Sequence, residues 1–183
     1  MHCEFFPAQG ESRISDDVLK QGQPPRRANR FSKLALLAAR ALADKNIHPI
    51  LADKNVHATL GLIVGTALGP HESTSQVHND MMDFGDANVS PTAFSHSVHN
   101  VAAAYIAQAL NIHGPCLTVT DFENIAERCR ELAHCWLADG TCDAILVVTL
   151  DEAGFVFDRI EAEMGALFAR ESATSFLLVK GSE

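Results

Sequence analysis

Basic charge, paired cysteines and long apolar runs are all scarce in this chain. Fourteen lysines and arginines stand against 23 aspartates and glutamates in 183 residues, a formal net charge of −9. That balance repels phosphate backbones and anionic bilayers, so neither nucleic acid nor membrane is expected as a partner. The five cysteines, Cys3, Cys116, Cys129, Cys135 and Cys142, form no CxxC pair and are odd in number. A zinc centre or a disulfide framework is therefore not expected, and burial as reduced, inert thiols is. No apolar run reaches the ~18 residues of a membrane span, and Met1–Ser12 lacks the basic start and apolar stretch of a secretory signal. A cytoplasmic protein is the expectation. Gly61, Gly65 and Gly69 fit neither GxGxxG nor GK[ST], so no phosphate loop and no cofactor follows from them.

What is present suits one globular domain: 47% hydrophobic and 20% charged residues, with no internal repeat and no dividing linker. Residues 1–29 are polar, carry Pro24-Pro25 and show no sustained period, which predicts an irregular N-terminal arm. From Arg30 the apolar residues Phe31, Leu34, Leu37, Ala38, Ala41 and Leu42 recur at three and four, predicting a helix that ends near Asn46, ahead of Pro49. Thr59–Leu68 is a short continuous apolar run, as expected of a strand buried on both faces. Further helices are predicted over Glu72–Phe84, Val98–Leu110, Glu123–Ala138 and Phe155–Ala169, the last broken at Gly165. Further strands are predicted over Cys116–Thr120, Ala144–Leu150 and Ser175–Lys180, with loop at Asp86–Ser95. Strands separated by helices of this length imply an α/β layered sheet.

Several blocks then carry a resemblance. Arg30-Phe31-Ser32-Lys33-Leu34-Ala35, Gly65-Thr66-Ala67-Leu68-Gly69, Ser90-Pro91-Thr92-Ala93-Phe94 with Asn100-Val101-Ala102-Ala103-Ala104, Gly114-Pro115-Cys116-Leu117-Thr118-Val119-Thr120 and Gly140-Thr141-Cys142-Asp143-Ala144 stand in this order. Together they resemble the N-terminal half of the β-ketoacyl synthases, and in particular the shortened, chain-length-factor-like members found beside aryl-polyene and related polyketide genes. The resemblance implies a thiolase-like half fold over residues 30–183, a layered mixed sheet with helices on both faces. Synthases open with a strand, for which Met1–Pro7 is a poor candidate.

In those synthases the nucleophilic cysteine follows the glycine of the "GP" pair by nine residues and precedes the glycine of "G-x-AD" by seventeen. Counting from Gly114 and from Gly140 lands both times on Glu123. A thiolate at a helix N-terminus is stabilised by the dipole and the unpaired N–H groups, and attacks a thioester. A carboxylate there is a poor nucleophile. Thr120-Asp121-Phe122-Glu123 also fits a capping box, which would make Glu123 a helix cap. The synthases take two histidines and a lysine from their second half, so none is expected in cis from a chain ending at Glu183.

Other candidates have plain alternatives. His96 and His99 are a lone pair without matching ligands, so helix capping is expected rather than a metal site. His71 and His78 are expected on a shared solvated helix face. Cys129 and Cys135 could replace the nucleophile, but core packing is expected of both. Arg26, Arg27, Arg30 and Lys33 concentrate basic charge in an acidic chain. They form either a solvated arm or a docking patch for an acidic partner such as an acyl carrier protein. Leu117–Thr120, the strand ahead of the nucleophile position, is implied by the resemblance to lie at a dimer two-fold. The expected function is thus a non-catalytic synthase-like subunit of a polyketide or fatty-acid pathway, paired with itself or with an active synthase. The alternatives are a decarboxylase or acyltransferase using Glu123 with partner-supplied residues, and a carrier-protein-binding module.

Overall fold

The computed structural model describes residues 2–6, 11, 13–43, 59–164 and 171–181. The strands are β1 His2–Phe5, β2 Leu60–Thr66, β3 Cys116–Thr120, β4 Ala144–Asp151 and β5 Ser172–Val179. The helices are α1 Asp16–Leu19, α2 Arg30–Leu42, α3 His71–Phe84, α4 Pro91–His96, α5 Val101–Leu110, α6 Ile125–Ala138 and α7 Phe155–Met164. One sheet runs in the order β1-β5-β4-β2-β3. β2 is parallel to β3 and β4, whereas β5 is antiparallel to β4 and β1. None of the described helices is long and apolar enough to cross a membrane.

The central strands are continuous apolar runs because both of their faces are covered. Leu60, Leu62 and Val64 of β2, with Leu146 and Val148 of β4, pack into one core with α2 and α5. Ile63, Ile145 and Val147 point the other way and meet Cys129, Ala133 and Leu137 of α6. The expected α/β sheet with helices on both faces is the fold. Two glycines on the α6 side let that helix approach β2 closely. A Cβ on Gly65 would lie 2.6 Å from Cys129 Sγ and 2.7 Å from Ile125 Cγ1, and one on Gly61 would lie 2.6 Å from Cys142 Sγ.

Several expectations are corrected. His2–Phe5 is a strand, pairing with Ala173–Phe176: β5 offers an edge, and the alternating His-Cys-Glu-Phe turns Cys3 and Phe5 onto the core. Ser15 accepts a hydrogen bond from the Val18 amide at the start of α1, and Ile14 and Leu19 are buried in the same core as α2. Residues 1–29 are therefore not irregular throughout. Asp86–Ser95 is not plain loop: a 3-10 turn spans Asp86–Asn88, and α4 starts on Ser90-Pro91, with Ser90 accepting from the Ala93 amide and proline at the first helical position. α5 and α6 begin at Val101 and Ile125, later than Val98 and Glu123, and β5 begins at Ser172, before Ser175. The helix end near Asn46 and the break at Gly165 lie outside the described residues.

One buried ion pair ties the first residues to the last strand. Arg30 donates from Nε and Nη2 to the two oxygens of Glu171, each at 2.7 Å, and from Nη2 to the Ile14 carbonyl at 2.6 Å. Glu171 is fully buried and also accepts from the Ile14 amide at 2.6 Å. Bidentate, charge-assisted partners of this kind offset the cost of burying an ionised carboxylate.

Candidate active-site elbow and the surfaces around it

The parallel strands β2, β3 and β4 end together at Thr66, Thr120 and Asp151. The chain leaves β3, turns through 121–124 and enters α6, so Glu123 lies in the strand-to-helix elbow, exposed to solvent. The capping box does not form. Asp121 is the acceptor instead: its Oδ1 takes the amides of Glu123 at 2.9 Å and Asn124 at 3.2 Å. These two N–H bonds hold the Asp121 carboxyl below the usual carboxylate range, with Arg128, 3.6 Å away, adding to the effect. The amides at the helix entrance are thus already occupied by an anion of the chain itself. Below the elbow, Asp151 Oδ1 accepts from Thr66 Oγ1 at 2.8 Å and from the amides of Ala67 and Leu68. Burial pushes the Asp151 carboxyl up, against the pull of those donors.

The two helical cysteines differ in their surroundings. Cys129 is buried, and desolvation together with the nearby Asp121 charge pushes its thiol up to about 11. Cys135 is exposed, contrary to the expectation of burial. The helix buries Cys129, Ala133 and Leu137 in steps of four, and position 135 falls on the opposite side. Cys116 is also exposed and Cys142 is buried.

The histidines divide as well. His71 is buried rather than solvated, its ring Nδ1 4.0 Å from Glu152 Oε1, while His78 is exposed. Gly154 permits this: a Cβ there would lie 2.6 Å from His71 Nε2 and 2.2 Å from Glu72 Oε1. Burial pushes the His71 imidazole down. It pushes the Glu152 carboxyl up to about 7, although Glu152 Oε1 accepts from the Glu72 amide at 3.1 Å. His96 does not cap α5; its Nε2 lies 3.1 Å from the Tyr105 hydroxyl. The described residues hold no group of three metal-ligating side chains. The buried carboxylates Asp151, Glu152 and Glu171 were not singled out from sequence. The signal for the first two was an acidic pair directly ending an apolar strand.

The basic patch is split. α2 starts at Arg30, so Arg26 and Arg27 sit in the preceding turn, and Arg30 turns inward to Glu171. Arg26 and Lys33 line one shallow depression with Lys20 and Asp16, while Arg27 lines another with Asn29, Ser73, Asp80 and His96.

β3 forms the outer edge of the sheet. The Pro115 carbonyl accepts from the Leu62 amide at 2.9 Å and the Asp121 amide donates to the Thr66 carbonyl at 3.3 Å. By the alternation of a parallel ladder, Leu117 and Val119 spend their backbone groups on β2, and Cys116, Thr118 and Thr120 turn theirs to the open side. No lysine or proline blunts this edge.

The β-ketoacyl synthase N-terminal domain model matches residues 11–172. No curated protein matches the chain. Among solved structures it is similar to the ketosynthase ApeO in complex with its chain length factor ApeC from Xenorhabdus doucetiae, with a TM-score of 0.70 and 18% identity over 98% of this chain and 78% of that one. It is similar to the ishigamide ketosynthase/chain length factor, with a TM-score of 0.71 and 19% identity over 89% of this chain and 48% of that one. It is also similar to AntDE:AntF, a type II polyketide synthase acyl carrier protein in complex with its ketosynthase bound to the hexaketide (TM-score 0.70, 11% identity, 95% and 51% coverage). The chain thus spans about half the length of the latter two. Since the family model covers most of the sequence and the strand–elbow–helix geometry agrees with it, the chain belongs to the β-ketoacyl synthase N-terminal domain family.

Proposed function

We propose that this chain is a non-catalytic synthase-like subunit of a polyketide or fatty-acid pathway, with an aryl-polyene pathway as the specific setting, acting through a synthase-fold partner. The observation that carries the reading is the elbow: an exposed glutamate holds the nucleophile position, and Asp121 occupies the amides that would activate a thiol there. Nucleophilic catalysis on a thioester needs a thiolate and free donors for the developing oxyanion, and neither is on offer. The open edge of β3 supports pairing along Leu117–Thr120 through the outward groups of Cys116, Thr118 and Thr120. The solved relatives include a ketosynthase with its chain length factor and a ketosynthase with an acyl carrier protein. By analogy, Arg26, Arg27 and Lys33 would receive an acidic carrier, without Arg30. Incubation of the purified protein with acyl and malonyl thioesters should leave its intact mass unchanged. A stoichiometric acyl adduct on the chain would overturn the non-catalytic reading.

A further inference from the structure

Two buried titratable groups that the elbow does not use meet where the start of α3 packs on the turn after β4. His71, the first residue of α3, is 6% exposed, and Glu152, just past β4, is 1% exposed. Ring Nδ1 and carboxyl Oε1 lie 4.0 Å apart. The backbone laces the same junction together: the Glu72 amide donates to Glu152 Oε1 at 3.1 Å, and the Phe155 amide donates to Glu72 Oε1 at 3.3 Å.

The charges that face this junction already have partners. Arg13, from the N-terminal arm, lies 3.4 Å from Glu72 Oε1. Arg30 of α2 holds both oxygens of Glu171, just ahead of β5, and reaches Asp16 at 3.2 Å. Asp151 turns to the Thr66 hydroxyl and the amides of Ala67 and Leu68. Asp158 of α7 acts on His71 only through space. An ionised Glu152 would therefore be a further carboxylate beside Glu72 and Glu171, and an imidazolium would be a cation in a dry site. Burial disfavours both charged forms, so the folded chain favours the neutral acid beside the neutral base. In water the order is reversed. Between the ordinary values of 4.5 and 6.5 the carboxyl is ionised and the imidazole carries the proton. Each arrangement holds one proton.

We propose that His71 and Glu152 hold one proton between them in the folded chain, on the carboxyl, so that the junction of α3 with the turn after β4 opens with the same ease from mild acid to neutral pH. Two titrations cancel in it. As pH falls, protonation of an exposed imidazole favours opening; as pH rises, ionisation of an exposed carboxyl does.

Hydrogen exchange of the Glu72 and Phe155 amides, expressed as protection over the intrinsic rate at each pH, reads the opening. In the native chain protection should change by less than about twofold between pH 5 and pH 7. In His71→Asn only the carboxyl titrates, at 4.5 when open and about 7 when closed, and protection should fall about 40-fold over that range. In Glu152→Gln the trend should reverse, with protection rising by about tenfold or more. The carbon-13 shift of the Glu152 carboxyl in the native chain at pH 6 should be that of a protonated acid, a measurement that needs no variant to fold. Native protection that changes by about tenfold or more between pH 5 and pH 7 would overturn the compensation, as would variants whose slopes have the same sign. A carboxylate shift at pH 6 would overturn the neutral pair.

Discussion

Placing a thiol at the elbow by Glu123→Cys measures how far this site is from a working one. A cysteine at a helix N-terminus ordinarily has its pKa lowered from about 8.5 to between about 3.5 and 7.5. Here Asp121 Oδ1 already holds the amides of residues 123 and 124 at 2.9 and 3.2 Å, and those bonds keep it ionised at neutral pH. A solvated carboxylate two residues away raises a thiol by about half a unit to one unit. The expected pKa is therefore about 9, which leaves about 1% thiolate at pH 7, against about three-quarters for a thiol of pKa ~6.5. Alkylation at pH 7 should be slower than at an activated elbow by about 75-fold, before any difference in intrinsic nucleophilicity. Adding Asp121→Ala should release the two amides and lower the pKa to about 7.5 or below, at about 1 kcal/mol of helix stability. Asp121→Asn removes the charge but keeps an acceptor, and should fall between. The assay is the pH dependence of iodoacetamide labelling, read by peptide mass in a Cys116→Ser/Cys135→Ser background because both native thiols are exposed. An activated thiol, with its labelling midpoint near pH 6.5 in Glu123→Cys alone, would refute the reasoning.

The remaining predictions concern the rest of the molecule. In the native protein iodoacetamide should label Cys135, label Cys116 more slowly because partial desolvation raises its thiol, and spare Cys129 and Cys142; labelling of Cys129 at the rate of Cys135 contradicts the packing. Arg30→Ala should cost about 3–5 kcal/mol in urea unfolding by stranding the buried Glu171 carboxylate, and Arg30→Lys should rescue it poorly because the fork is lost. A cost below about 1 kcal/mol would show that the pair is not buried in solution. Glu152 binds its proton more tightly folded, with a pKa of about 7, than unfolded, where the ordinary value is 4.5. Its contribution is therefore complete below pH 4.5 and is lost as pH rises to 7 and beyond, a change on the order of 3 kcal/mol. His71 acts oppositely: its lowered pKa costs stability as pH falls below 6.5. Comparing Glu152→Gln with the native chain at pH 5 and pH 8 isolates the carboxylate. Relative to native, the variant should gain stability at pH 8, and an unchanged difference would count against the burial.

Much of the architecture was legible because it follows from local pattern. β3 was predicted at its observed bounds, and β2 and β4 announced themselves as apolar runs too short to be helices. β1 is hard to read, since four alternating residues are too short to announce a strand without the edge of β5, some 170 residues on, to pair with. α4 does carry a local signal: Ser90-Pro91 is a cap followed by a first-turn proline. Cys135 could have been placed by phase alone, two residues off the stripe that buries Cys129 and Ala133. The position of Glu123 came from spacing, but its surroundings did not, because Asp121 captures the amides only once the turn is built. Arg30 looked like surface charge because its partner, Glu171, is 141 residues away.

Malonyl-thioester decarboxylation by the native chain and by Glu123→Ala, measured side by side with the protein alone, tests the central claim most directly. A non-catalytic subunit predicts carbon dioxide release at the buffer rate in both. Release by the native chain that disappears in Glu123→Ala would contradict it and make Glu123 a catalytic residue.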